Sequence, residues 1–371
     1  MKIAQLSSHY RPVIGGQEVY IKNLNSIITE AGHETLVYQL QRGESANDNV
    51  CIPKIPYLSK FIVEFETRWL TWVIDMYKPK ALFNADLIIG HYASVSRSLE
   101  SVSTKAIILS HGVEWRTENQ RDYDRYREEN AKWCLDKYPH VVNDTYYLRY
   151  LGIDVEPGEK NYFTEVSPGK WFIPNCIDTA LFTRVKRKPE YENKKMILVP
   201  RQMVEDRGIH LAIEAFAIIA DKYPEFEMCL LGKRWGKKNP YITRLDNLIS
   251  KHNLQERVYF RDPVQNNMMP EWYSSAELTV IPTLRREGTS LSAIESMSCG
   301  VVTVTTNVVG LADLPTYQCD PTSMSLAEAM AYAIDNQTTL AESQCIKTRQ
   351  QLNLENWADA WLKVIDSVSR Q

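Results

Sequence analysis

KIAQLSSHYRPVIGGQEVYIKNLNSIITEAGHETLVYQL, residues 2–40, decides how the chain is read. Residues 2–8 read as a first buried strand, and the loop His9-Tyr-Arg-Pro-Val-Ile-Gly-Gly16 separates it from a segment of helical period. In that segment Tyr20, Leu24, Ile27, Ile28 and Ala31 share one face, Gly32 is placed to stop the helix, and residues 35–40 resume as a strand. The unit is β-loop-α-β. Strand patterns follow at Asp86-Leu-Ile-Ile-Gly90, Lys105-Ala-Ile-Ile-Leu-Ser110 and His140-Val-Val-Asn143, with helix-like segments between them, so the first half predicts a parallel sheet. The same grammar restarts at Met196-Ile-Leu-Val-Pro200, with a helix predicted over 209–222 and strands over 226–231, 257–260, 278–281 and 301–305. Two such sheets in one α/β chain imply two domains with a cleft between them and a boundary near residues 173–178.

The totals agree with this division. A chain of 371 residues is long for one core, and 44% hydrophobic with 24% charged residues describes a folded globular protein. A formal net charge of −3 lacks the basic footprint of a nucleic-acid binder, so an anionic ligand must be held locally. The seven cysteines are scattered and form no C-x-x-C pair, which points to neither a disulfide framework nor a zinc site. With no signal-peptide pattern and no stretch of bilayer-spanning length, the expected location is cytoplasmic. The basic stretch Arg184-Val-Lys-Arg-Lys-Pro-Glu-Tyr-Glu-Asn-Lys-Lys195 reads as a solvated loop, with peripheral contact to anionic lipid at the membrane's inner face as the open alternative. The aromatic-rich stretch over 61–77 has helical spacing and suits a core or interface helix.

Ligands of open α/β sheets gather at the carboxyl ends of strands, so the loops after strands carry the search. Gly15-Gly16 follows the first strand and precedes a helix, where backbone N–H groups can face an anion, although two adjacent glycines also suit a plain turn. Arg201 follows the strand at 196–200, and Arg207-Gly208 opens the next helix. Two guanidinium groups near a helix start suit a diphosphate, and the competing reading pairs them with Glu205 and Asp206. The third loop carries Glu287, then Gly288-Thr289-Ser290-Leu291 and a helix through Met297 with Gly300 as its stop. Within it, Ser292-Ala-Ile-Glu295 fits a capping box; a helix beginning near Ser290 instead frees Glu295 for a ligand. Asp122-Tyr-Asp124 resembles a metal-binding pair, but its charged flanks read as a solvated helix. His91 and His111 each follow an apolar strand, a position that is more often structural than catalytic.

With these loops in place, the sequence resembles the retaining glycosyltransferases of family 4. Ile173-Pro-Asn-Cys-Ile-Asp178 with Phe182 is similar to the family's "PNGID…F" hinge, Pro200-Arg-Gln-Met-Val-Glu-Asp-Arg-Gly208 to its "GRL…KG" loop, and the span from Glu287 to Glu295 to its E-x7-E motif. Met269-Pro-Glu-Trp-Tyr-Ser-Ser-Ala276 resembles the segment that precedes that motif, and Trp357 begins a stretch like the family's last helix. Gly15-Gly16 and His111-Gly112 match its glycine and histidine loops. Cys176, Pro200, Arg207 and the run Gly288-Thr289-Ser290 depart from the usual residues.

The resemblance implies a GT-B fold: two Rossmann-like domains whose parallel sheets face a central cleft, with a C-terminal helix crossing back. Residues 1–173 would bind acceptor, 174–353 the nucleotide sugar, and 354–371 would return to the first domain. It implies a nucleotide-diphosphate-sugar donor, a glycan, lipid-linked or small-molecule acceptor, and no metal or other cofactor. Arg201, Arg207, Glu287 and His111 would carry catalysis, while Gly15, Gly16, Gly288, Thr289, Ser290, Leu291 and Glu295 would hold the donor. The rival readings are a nucleotide-sugar epimerase of the same fold and a catalytically silent nucleotide-sugar-binding protein.

Overall fold

The computed structural model of the chain describes residues 1–13, 15–40, 46–52, 84–96, 99, 105–234 and 239–370. The helix expected over 61–77 lies outside the described residues. The chain divides into two compact units: Met1–Glu156, Asn161–Pro174 and Glu355–Gln371 form the first, and Pro157–Lys160 with Asn175–Leu354 form the second.

In the first unit the described elements run β1 (Lys2–Ser7), α1 (Gly16–Glu30), β2 (Glu34–Leu40), β3 (Asn49–Ile52), β4 (Leu87–His91), α2 (Ala93–Ser96), β5 (Lys105–Ser110), α3 (Asp122–Lys137), β6 (His140–Val142), α4 (Thr145–Tyr150), β7 (Thr164–Ser167) and β8 (Lys170–Phe172). The strands form one sheet in the order β3-β2-β1-β4-β5-β6-β8-β7. All neighbours are parallel except β7 with β8. Central strands buried on both faces need apolar runs, which β4 and β5 supply up to their last residues, while β1 buries Gln5 and Ser7 among its apolar residues. Helix α1 turns Tyr20, Leu24, Ile27 and Ile28 inward, and Gly32 follows at φ +80°, where a side chain would be strained. At the start of α3, both carboxylate oxygens of Asp124 accept backbone amides, from Arg116 at 2.9 Å and Arg121 at 3.1 Å. That carboxylate caps a helix.

The second unit restarts the same design with β9 (Lys195–Pro200), α5 (Ile209–Ile219), β10 (Phe226–Leu231), α6 (Pro240–Lys251), β11 (Val258–Arg261), α7 (Met269–Ser275), β12 (Leu278–Ile281), α8 (Leu291–Ser298), β13 (Val302–Thr306), β14 (Tyr317–Cys319), α9 (Ser323–Asp335) and α10 (Gln337–Gln351). Its parallel sheet has the order β11-β10-β9-β12-β13-β14. Ile213, Phe216, Leu230, Val280, Val304 and Met330 belong to one apolar cluster that joins the sheet to α5 and α9. The basic stretch over 184–195 is tied down: Arg187 pairs with Glu277, Lys194 reaches Glu227 at 2.9 Å, and Lys195 reaches Glu225 at 3.0 Å.

The last helix, α11 (Leu354–Arg370), belongs to the first unit. It turns Trp357, Trp361, Val364 and Ile365 inward at helical spacing, and the Trp361 indole donates to the Tyr20 hydroxyl at 2.7 Å. Trp361→Ala is therefore expected to destabilise the first unit by about 3–5 kcal/mol, the usual loss for a buried indole. Urea unfolding followed by far-UV circular dichroism reads it.

Candidate active site

Both sheets reverse direction of winding at one point, between β1 and β4 in the first unit and between β9 and β12 in the second. In the second unit, Arg201 directly follows β9, while Thr283 and Glu287 lie in the loop after β12. The two loops are stitched together: the Leu284 amide donates to the Asp206 carbonyl at 2.9 Å, and Asp206 pairs with Arg285 at 3.3 Å and with Arg286. Gly208 makes this approach possible. It sits at φ +64°, and a Cβ there would lie 1.8 Å from the Pro282 carbonyl oxygen.

Three charged side chains meet in this loop pair. Arg201 and Arg207 donate to the same oxygen of Glu287, with Arg201 also reaching Thr283 Oγ1 at 2.9 Å and Ser290 Oγ at 3.3 Å. Arg207 donates in addition to the Arg286 carbonyl at 3.0 Å. Arg201 is 7% exposed at its side chain and Arg207 27%, so the first is built in and the second lies at the rim. The Nε of Arg201 is buried with no hydrogen-bond partner among the described residues. Burial opposes ionisation of Glu287, but the charges of Arg201 and Arg207, with hydrogen bonds from Arg201 and Ser290, outweigh it and hold its pKa below the usual carboxylate range.

Glu295 has the opposite environment only eight residues on. Helix α8 begins after Ser290, so the Ser292 capping box does not form and Glu295 lies inside the helix. Its carboxylate accepts Tyr273 OH at 2.7 Å and Asn266 Nδ2 at 3.1 Å. Burial raises its pKa, with these two hydrogen bonds opposing. A raised folded pKa means the fold holds the proton more tightly, so this group's contribution to stability falls as pH rises from the ordinary carboxylate pKa through the raised one. Glu295→Gln is expected to remove that descending limb, leaving Tm at neutral pH no lower than that of the native chain; thermal unfolding between about pH 4 and about pH 8 checks it.

The segment between these carboxylates is held by its own contacts. Asn175 donates from its amide to Thr289 Oγ1 at 2.8 Å and from its side chain to the Thr289 carbonyl. The Gly310 amide donates to the Glu287 carbonyl at 3.1 Å, and a Cβ on Gly310 would strike the Gly288 backbone at 2.3 Å. Ser290 precedes α8 without bonding its hydroxyl to the first-turn amides, because that hydroxyl faces Arg201.

Gly15, Gly16 and His111 belong to the first unit. The Gly15 amide donates to the Glu18 carboxylate at 2.8 Å, three residues on in the first turn of α1, so an anion bound at that amide would have to displace this carboxylate. His111 follows β5, with its Nε2 at 3.0 Å from Nδ1 of His91, which ends β4. Asn175 and Tyr273 stand in stretches that the sequence marks only as family-like, and Thr283, Asn266 and Gly310 stand in none; each meets its partner only across the fold.

Two parallel α/β sheets of this order define a GT-B glycosyltransferase fold. Residues 183–351 match the model of the family described as "Glycosyl transferases group 1". The match lies within the second unit. A phosphatidylinositol N-acetylglucosaminyltransferase component of Arabidopsis thaliana is 27% identical over 150 residues, 40% of this chain and 32% of that protein, so the match spans about a third of that relative's length. D-inositol 3-phosphate glycosyltransferase of Paenarthrobacter aurescens is 25% identical over 356 residues, 84% of this chain and 82% of that protein. Among solved structures, Anabaena HepE in complex with UDP superposes with a TM-score of 0.77 at 15% identity, covering 99% of this chain and 100% of that one. No helix among the described residues is long and apolar enough to cross a membrane.

Proposed function

We propose that the chain is a retaining, metal-independent glycosyltransferase. It moves a hexose-type sugar from a nucleotide-diphosphate sugar to a glycan, lipid-linked or small-molecule acceptor in the making of cell-surface polysaccharide or glycoconjugate. The convergence of Arg201 and Arg207 on Glu287 at the second unit's switch point is the observation that supports this reading most. As the bond from the anomeric carbon to the diphosphate oxygen breaks, negative charge grows on that oxygen. Guanidinium charge already fixed in a buried site stabilises it without reorganisation. The unpartnered Nε of Arg201 is a spare donor for a phosphate oxygen.

The acceptor hydroxyl attacks the anomeric carbon from the face the diphosphate leaves, and its proton passes to the departing phosphate oxygen. One carbon–oxygen bond forms as another breaks, and configuration is kept. Glu287 orders the two arginines and offers its remaining lone pairs to hexose hydroxyls. Amides along Gly288, Thr289, Ser290 and Leu291 support sugar and phosphate, with the start of α8 behind them. Glu295 takes the nucleotide ribose, oriented by Tyr273 and Asn266. The resemblance assigns Gly15 and Gly16 to the diphosphate and His111 to the donor sugar, and these roles are part of the proposal.

Two of the relatives are named for phosphatidylinositol and for D-inositol 3-phosphate, and the solved neighbour holds UDP. The test is a thermal-shift screen of the full chain against UDP-, GDP-, dTDP- and ADP-sugars, followed by product analysis with lipid-linked and soluble acceptors. The expected result is one stabilising donor whose sugar reaches an acceptor with its anomeric configuration retained, at a rate unaffected by EDTA. Conversion of donor without acceptor would favour an epimerase, and nucleotide binding without turnover a silent binding protein. An inverted product would end the same-face mechanism.

A further inference from the structure

The first unit buries a row of polar side chains that begins at His111 and ends at a charged pair. Asp48 accepts Arg11 Nε at 2.8 Å and Nη2 at 2.6 Å, and the Tyr10 hydroxyl at 2.6 Å. Asn25 Nδ2 lies 3.5 Å from the Tyr10 oxygen, and Asn25 Oδ1 faces both Gln5 Nε2 and Thr35 Oγ1, the latter at 2.9 Å. Gln5 Oε1 is 2.9 Å from His91 Nε2, and His91 Nδ1 is 3.0 Å from His111 Nε2. Gln5, His91, Asn25 and Tyr10 are all buried.

The charged end sets the direction of every bond in this row. The carboxylate of Asp48, kept ionised by its hydrogen bonds from Arg11, can only accept. Tyr10 must then donate to it, which leaves the Tyr10 oxygen to accept from the Asn25 NH₂. Asn25 turns its carbonyl to Gln5, so Gln5 presents its NH₂ to Asn25 and its carbonyl to His91. His91 Nε2 carries the proton, His91 Nδ1 carries a lone pair, and His111 donates to it from Nε2. Ring tautomers follow from partners in this way.

We infer that Gln5 and His91 are positioning residues that hold His111 as its Nε2–H tautomer, so that the ring atom His111 offers to a ligand is Nδ1, an acceptor for a substrate hydroxyl. His111 Nδ1 makes no hydrogen bond among the described residues. The two imidazoles are nearly coplanar, 11° apart with centroids at 5.3 Å, as an in-plane hydrogen bond requires, and Tyr20 edges the His111 ring at 5.0 Å. Burial lowers the His111 pKa to about 3, so the ring is neutral and acts as no proton donor through Nδ1. Naming a substrate hydroxyl as the partner rests on the transfer reading; the tautomer does not.

Long-range ¹H–¹⁵N spectra of the full chain with ring-¹⁵N histidine read the tautomer directly, with the signal assigned by its loss in His111→Phe. The expected spectrum has His111 protonated at Nε2 and bare at Nδ1; a proton on Nδ1, or an equal mixture, overturns the inference. His91→Phe keeps an aromatic ring in that place without the acceptor, and Tyr10→Phe breaks the row at its far end. Each is expected to let His111 exchange between tautomers, and His91→Phe to lower kcat/KM about tenfold, the scale of one neutral hydrogen bond. Gln5→Glu still accepts from His91 and is expected to keep the native tautomer. A His111 ring unchanged in folded Tyr10→Phe and His91→Phe overturns the relay. The ring spectra need no donor, so failure of the transfer reading shows separately, as a native chain that moves no sugar.

Discussion

Arg207→Ala is expected to lower kcat by about 10²–10³-fold, the loss typical of one preorganised donor to developing charge. The side chain lies at the rim, and in its absence Glu287 keeps Arg201 as a partner, so the fold loses little. The effect should fall on kcat, because charge on the departing diphosphate grows only as the sugar leaves. Arg207→Lys keeps the charge without the fork and is expected to fall between the two. Steady-state kinetics together with urea unfolding separate lost chemistry from lost structure. A near-native kcat in folded Arg207→Ala would remove this residue from the leaving-group role.

Glu287→Ala should give the largest stability change at the site. It leaves two guanidinium groups converging on a space that held their shared carboxylate oxygen, and breaking a buried pair from one side typically costs about 3–5 kcal/mol. The sign with pH follows from the lowered pKa of Glu287. Its stabilising contribution is present above the ordinary carboxylate pKa and is lost as pH falls through the lower folded value. The gap between native and variant should therefore be widest near neutrality and close below about pH 4. Pyrophosphate should raise the Tm of the variant more than that of the native chain, since an anion can replace the missing carboxylate. Equal shifts in both would mean that the two arginines do not form an anion site.

How far each element could be read locally depended on its burial. The strands β5, β9 and β12 rest on apolar runs, β1 and β10 on runs interrupted by Gln5 and Glu227, and the limits of all five lie within a residue or two of those that the pattern predicts. The short β3, β7, β8 and β14 have mixed or partly exposed residues, and no periodic signal marked them. Helix α1 shows the same contrast within one element: its apolar face was evident, whereas buried Asn25 on that helix has meaning only through Gln5, Thr35 and Tyr10. At the Gly15 amide, loop placement suggested an open donor, and a carboxylate one helical turn away had already taken it.

Two parallel α/β sheets, the positions of the strand-end loops and the residue types in them follow from apolar period and turn chemistry, which act over a few neighbouring residues. The meeting of Arg201 and Arg207 with Glu287 spans 86 and 80 residues of chain and arises because β9 and β12 pair side by side. The start of α8 after Ser290, and with it the freedom of Glu295 from capping, was likewise settled only when the loop packed against Asn175, Arg201 and Gly310. Charge and hydrogen-bond direction depend on distance in space, and only the folded chain sets those distances.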